Sequence, residues 1–179
     1  MDIISILAVG SYCAAIILLL TIPLRRRAVM LRAGDRIFAI PFRKRAFFKA
    51  AFIVFLGALI IYVTLSRMFS LFVDIAFCGT ALLGIEFAAR QFALMAMGGA
   101  WQNAVIVDTE TLLYDEIEVF PILQLPPEEQ KNYSPNVLIA QTKSRGAVQL
   151  IFPNAEICRK VLEVIFTQCP DLKPQSDSE

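Results

Sequence analysis

The chain has 179 residues, 57% of them hydrophobic, and a formal net charge of +1. It contains no histidine, which removes the usual proton shuttle, the commonest metal ligand and every Ser-His or Cys-His nucleophile pair. The near-neutral total conceals two opposed parts, +8 over residues 25–49 and −6 from residue 100 onward.

Ile3–Leu24 is the first of three apolar runs, followed by Phe47–Leu65 and Phe69–Ala89. A helix needs about 20 mostly apolar residues to cross a hydrocarbon layer about 30 Å thick, and each run has that length. Apolar residues surround every face of the first two instead of forming a stripe, so membrane spans are expected in place of buried helices of a soluble protein. Met1-Asp2 supplies no basic leader, no small-residue cleavage site follows the first run, and Arg25-Arg26-Arg27 comes directly after it. A retained helix is expected, not a cleaved signal.

Residues 25–46 are expected to form a basic cytoplasmic loop. They hold Arg25, Arg26, Arg27, Arg32, Arg36, Arg43, Lys44 and Arg45, with Lys49 just inside the next helix and Asp35 as the sole acid. The connection between the second and third runs carries only Arg67. The positive-inside rule then predicts a bacterial cytoplasmic (inner) membrane protein with its amino terminus outside and everything after the third helix in the cytoplasm. The eight loop bases are candidates for binding anionic phospholipids at the cytoplasmic leaflet, at roughly 1 kcal/mol each. They are also candidates for docking the acidic carboxy-terminal domain, which requires direct contact because salt screens exposed charges beyond about 8 Å. Ala33-Gly34-Asp35 is a candidate hairpin turn within the loop.

The third run carries the intramembrane polar residues Asp74 and Glu86, with Arg90 after them. Glu86 and Arg90 are four residues apart, acid first, and are expected to form a local ion pair. Asp74 is expected one turn inside the outer boundary, within reach of water or headgroups. Twelve residues at 100° each set Asp74 and Glu86 about 120° apart, so they do not face a common cavity. Ala76, Thr80, Gly84 and Ala88 recur every fourth residue and are candidates for close helix packing, within the bundle or with a second copy.

From residue 100 the composition changes. Asn103–Thr109, Leu112–Ile117, Glu118–Leu125, Val137–Lys143 and Ala147–Phe152 are short, rich in Val, Ile, Leu and Phe, and separated by turn-forming groups. Each predicts a strand, with Ser144-Arg145-Gly146 turning a hairpin and Val148, Leu150 and Phe152 on one face of an antiparallel sheet. After Pro153, Asn154 is placed to cap a helix with Ile157, Val161, Val164 and Ile165 toward the sheet and Pro170 as its stop. Residues 1–99 are thus read as a three-helix membrane region, 100–170 as a cytoplasmic α+β domain, and the polar residues 171–179 as a disordered tail. Cys13 and Cys78 lie inside the apolar runs, and Cys158 and Cys169 sit about 16 Å apart along the last helix, too far for a disulfide.

The strand pair WQNAVIVDTETLLYDEIEVF, the hairpin VLIAQTKSRGAVQLIF and the closing helix PNAEICRKVLEVIF resemble the small pleckstrin-homology-like (PH-like) domains attached to membrane helices in uncharacterised bacterial proteins. The residues that carry the likeness are Leu112-Leu113-Tyr114-Asp115-Glu116-Ile117 and the junction Phe152-Pro153-Asn154. The resemblance implies a curved antiparallel sheet closed by a carboxy-terminal helix, although residues 100–170 are short for a full seven-stranded barrel. It brings no catalytic residues.

Function is expected to be binding, not catalysis. No Gly-x-Ser-x-Gly, phosphate-cradling glycine loop or Cys-x-x-Cys occurs, and no cofactor or metal is implied. Asp115, Glu116 and Glu118 are read as a solvated edge in preference to an acid/base cluster. Six scattered bases among twelve acids supply no inositol-phosphate pocket, and the basic loop offers little for nucleic acid to stack on. The expected role is an interaction or assembly module, an accessory or regulatory subunit of a membrane complex, with a protein partner or a second copy. The alternative is a lipid-binding or small-solute membrane protein using Asp74, Glu86 and the basic loop.

Overall fold

The structure, a computed structural model, describes residues 3–41, 44–66 and 69–173. The first apolar run forms α1 (Ile3–Leu20), and after the single turn residue Thr21 the chain re-enters helix as α2 (Ile22–Ala33). Pro23 accounts for the break, because it lacks the N–H that would continue the ladder; in the first turn of a new helix that N–H has no partner in any case. Gly34, at φ +81°, ends α2, and its N–H reaches the Met30 carbonyl at 3.0 Å.

The segment expected as a loop over 25–46 is therefore largely ordered. α2 takes Arg25, Arg26, Arg27 and Arg32, the strand β1 (Arg36–Ala39) takes Arg36, and Arg43 lies outside the described residues. Lys44 and Arg45 open α3 (Lys44–Ser66), and α4 (Leu71–Leu94) follows. Three helical stretches, Ser5–Ala33, Lys44–Thr64 and Leu71–Leu94, are long and apolar enough to cross a membrane. Their outer faces carry Phe52, Phe55, Phe72 and Leu83, all more than 60% exposed. Such a surface suits hydrocarbon and is foreign to a water-facing protein.

The chain divides into two units, Met1–Ala28 with Arg43–Met95, and Val29–Phe42 with Ala96–Glu179. This differs from a single boundary at residue 99, because the chain passes between the units three times. In the first unit Ala8 and Ala15 of α1, Ile61 of α3, and Ala81 and Ile85 of α4 form the interior. Gly57 allows the approach of α3 to α4, since a side-chain carbon there would lie 2.9 Å from Ile85 Cγ1 and 3.2 Å from the Ala81 carbonyl oxygen.

The second unit is antiparallel throughout. β1, β2 (Gly99–Trp101), β3 (Ala104–Val107) and β4 (Glu110–Leu113) form one four-stranded sheet in that order. The connection from β1 to β2 is the helical pair α3 and α4, so a strand from the first interhelical segment pairs with one some sixty residues later, Arg36 opposite Trp101 and Ala39 opposite Gly99. Ala33-Gly34-Asp35 thus joins a helix to a strand and does not turn a local hairpin.

β5 (Ile117–Val119), β6 (Val137–Thr142) and β7 (Gly146–Ile151) make a three-stranded sheet. The expected strand over 118–125 ends early, because Pro121 starts the short helix α5 (Pro121–Gln124); α6 (Pro127–Gln130) follows. The β6–β7 hairpin has the expected turn, with Thr142 opposite Gly146. Asn154 caps α7 (Ala155–Gln168) by accepting from the Ile157 N–H at 2.8 Å. Cys158, Val161 and Ile165 of α7 share a core with Val105, Leu112, Phe120, Leu138, Leu150 and Phe152. Asp171 and Leu172 belong to a turn of 3-10 helix and not to a tail; residues 174–179 lie outside the described residues.

Candidate functional site

The ionic group of the membrane unit is larger than the local pair expected from the sequence. Glu86 and Arg90 do pair, at 2.7 Å. Arg25 of α2 also closes a two-pronged fork on Glu86, Nη1 to Oε1 and Nη2 to Oε2, each 2.7 Å. Its Nε donates to Thr21 Oγ1 at 2.9 Å, and Thr21 donates to the Leu18 carbonyl at 2.6 Å. Two guanidiniums thus hold one carboxylate, and the fork from Arg25, the planar geometry in which arginine binds carboxylate best, ties the α1–α2 break to α4.

The four-spaced row of small residues does not form one face. Ala76 and Thr80 are exposed and Ala88 is buried, while Gly84 approaches Ile53. Four residues turn a helix 400°, so the row drifts about 40° per step and swings about 120° between its ends. The buried row is instead Asp74, Cys78, Ala81, Ile85 and Ala88. Asp74 heads it, fully buried, with neither carboxylate oxygen hydrogen-bonded among the described residues. Solvent does not reach it, contrary to the position expected near headgroups. An ionised carboxylate left so costs several kcal/mol.

Of the other bases, Arg26, Arg27, Arg32, Lys44 and Arg45 are exposed and make no ion pair among the described residues. Arg36 does meet the carboxy-terminal unit, though not through its acids: its guanidinium lies 5.7 Å from the Trp101 ring centroid and donates to the Gly98 carbonyl. The basic segment is held there as a strand by backbone hydrogen bonds, and Arg36 makes no ion pair among the described residues.

In the second unit Arg145, at the hairpin tip, bonds Glu116 Oε2 at 2.7 Å and the Thr111 carbonyl at 2.9 Å. Lys143 Nζ donates to the Asp115 carbonyl at 2.8 Å. The Glu116 carboxylate and the Asp115 backbone carbonyl thus anchor the hairpin, and among the described residues no group of three or more Cys, Asp or Glu is placed to hold a metal. The Tyr114 hydroxyl donates to the Trp101 carbonyl at 2.9 Å, and burial raises its pKa well above the phenol range.

A cavity of about 470 Å³ opens beside β6, lined by Ile122, Leu123, Tyr133, Leu138, Cys158 and Leu162, with Gln130 and Lys131 among its polar groups. Burial pushes the Cys158 thiol up to about 11, so it presents a neutral S–H there. Tyr133 remains 45% exposed. This groove was not foreseen, because α5, α6 and the 131–136 segment that build it have no periodic signal. Comparison with protein-family models, with curated proteins and with solved structures gave no match to this chain.

Proposed function

We propose that this protein is a membrane-anchored interaction module: three spanning helices hold a PH-like domain at the cytoplasmic face of a bacterial inner membrane, where it binds a partner protein as an accessory or regulatory subunit. The observation that carries the reading is the groove. Its volume is in the range of binding clefts, about 300–1,000 Å³, and its lining is mainly apolar with a few polar groups. Four strands, three strands and one carboxy-terminal helix support the PH-like assignment. The strand that residues 100–170 lack comes from the first interhelical segment.

The β1–β2 pairing also supports the orientation. It requires the basic segment and the carboxy-terminal domain to share one side of any membrane, and the positive-inside rule makes that side the cytoplasm. The exposed Arg26, Arg27, Arg32, Lys44 and Arg45 suit anionic headgroups on that side. Catalysis has no part in the reading, and neither does solute transport, since Glu86 is engaged by two arginines.

A photoreactive residue at Tyr133, activated in native membranes, tests it. A discrete heavier species is expected, lost on Leu123→Glu while Trp101 emission stays that of the parent. Absence of any cross-linked species from the parent chain in its native membrane would refute the groove as a docking site.

A further inference from the structure

Asp74 is the buried group for which the interaction reading has no use. Its position across the bundle follows from the packing of α3 against α4. The rings of Phe47 and Phe92 meet at 5.7 Å, a side-chain carbon at Gly84 would lie 3.5 Å from Ile53, and one at Gly57 would lie 3.2 Å from the Ala81 carbonyl. These contacts step forward along α3 as they step back along α4. Seven residues on from Gly57 and seven back from Ala81 stand Thr64 and Asp74, at one level because both helices rise equally per residue.

Thr64 is fully buried, and the buried polar side chain of α1 is Ser11. Both hydroxyls spend their hydrogen on their own helix, Thr64 Oγ1 on the Ile60 carbonyl at 3.0 Å and Ser11 Oγ on the Leu7 carbonyl at 2.8 Å. What they offer the interior is lone pairs. A carboxylate also only accepts, whereas a carboxylic acid supplies one O–H donor. No charged group among the described residues is near enough to substitute. Arg25, Glu86 and Arg90 form their own cluster, with Glu86 about 18 Å along α4 from Asp74. Lys44, Arg45 and Lys49 occupy the opposite end of α3, and α1 carries no charge among its described residues.

We propose that Asp74 is a proton-binding site inside the three-helix bundle, occupied as a neutral carboxylic acid, with the buried Thr64 hydroxyl at its level on α3 as the acceptor available to its O–H. The bound ligand is a proton, and its release leaves an anion with acceptors around it, so the helix ends must part to hydrate it. Arg67, in the α3–α4 connection, lies outside the described residues and is the one residue of that connection able to compete by pairing with an ionised Asp74.

The full chain in mild detergent, treated with dicyclohexylcarbodiimide near neutral pH, tests this. The reagent adds to protonated carboxyls in apolar surroundings, and mass spectrometry locates the adduct. One adduct is expected at Asp74, at least about tenfold above the level in Asp74→Asn. An infrared carbonyl band of a protonated carboxyl is expected in the parent chain, lost in Asp74→Asn and shifted to higher frequency in Thr64→Val. The Thr64 variant and the parent spectrum keep the test intact should Asp74→Asn not fold. No adduct and no acid band in the parent overturns the proposal. If both then appear on Arg67→Gln, Asp74 is an anion paired with Arg67. Protection by sodium but not by choline at fixed pH overturns it in favour of a cation site.

Discussion

Replacing Gly99 by alanine strikes the contact on which the domain's first sheet depends. A side-chain carbon at Gly99 would collide with the Phe38 carbonyl oxygen and lie 3.1 Å from Arg36 Nε. The colliding atom is backbone, so β1 must withdraw from β2 instead of one rotamer yielding. That removes the Arg36–Trp101 and Ala39–Gly99 pairings and the 2.9 Å bond from Ile40 N–H to the Gly98 carbonyl. At about 1 kcal/mol net for each of these three contacts, withdrawal of β1 costs about 3 kcal/mol. For a folding unit of about 100 residues that lowers Tm by roughly 10–25 °C. The assay is built in: Trp101 is the single tryptophan, 5% exposed, with its indole N–H on the Met97 carbonyl at 3.0 Å. Gly99→Ala is expected to shift its emission to the red and to advance its thermal transition. Gly98→Ala is the control, because a side-chain carbon there meets Ile40 Cβ at an ordinary 3.6 Å. Indistinguishable melts for the two variants would mean that β1 does not lie on β2, and the shared-side argument for topology would fall with it.

The other expectations are independent of that sheet. Arg25→Gln and Glu86→Gln, alone and together, should show a coupling of about 1–3 kcal/mol in detergent unfolding, since a charge-assisted fork is lost once and not twice; additivity within about 0.5 kcal/mol would remove the fork. Asn154→Ala should cost about 1 kcal/mol by orphaning the Ile157 N–H, with Asn154→Ser restoring most of it; a melt unchanged by alanine would mean the cap contributes nothing. Because burial raises the Cys158 thiol to about 11 from an ordinary 9.0, the folded state keeps its proton where the unfolded chain has lost it. Stability from this group is therefore full below pH 9 and falls as pH rises toward 11, and Cys158→Ala should make the alkaline decline shallower. Equal alkaline slopes for parent and variant would contradict that burial.

What could be read from the sequence was written locally. Asn154 and Pro170 bracket α7 because capping and helix stopping act within a turn. The 144–146 turn sets the β6–β7 register because a tight hairpin admits few alternatives. Glu86 and Arg90 were legible as neighbours on one helix, whereas Arg25, sixty-one residues away, was not. β1 and β2 were invisible for the same reason. Each is four residues or fewer, with no alternation to mark it, and each becomes a strand only when the other arrives. Membrane insertion offers a physical route to that meeting. α3 and α4 pack antiparallel through the contacts of Phe47, Ile53 and Gly57 with Phe92, Gly84 and Ala81, so the two ends of the pair return to one level. The entropy of closing a sixty-residue loop is then met by helix packing, and β1 needs to supply only the last few ångströms of approach. On this argument the hairpin of helices is part of the domain's folding mechanism as well as its anchor. Gly57→Leu, which forces α3 from α4, should therefore lower the Trp101 transition along with the stability of the bundle. A bundle loosened with the Trp101 melt unchanged would separate the two and refute it.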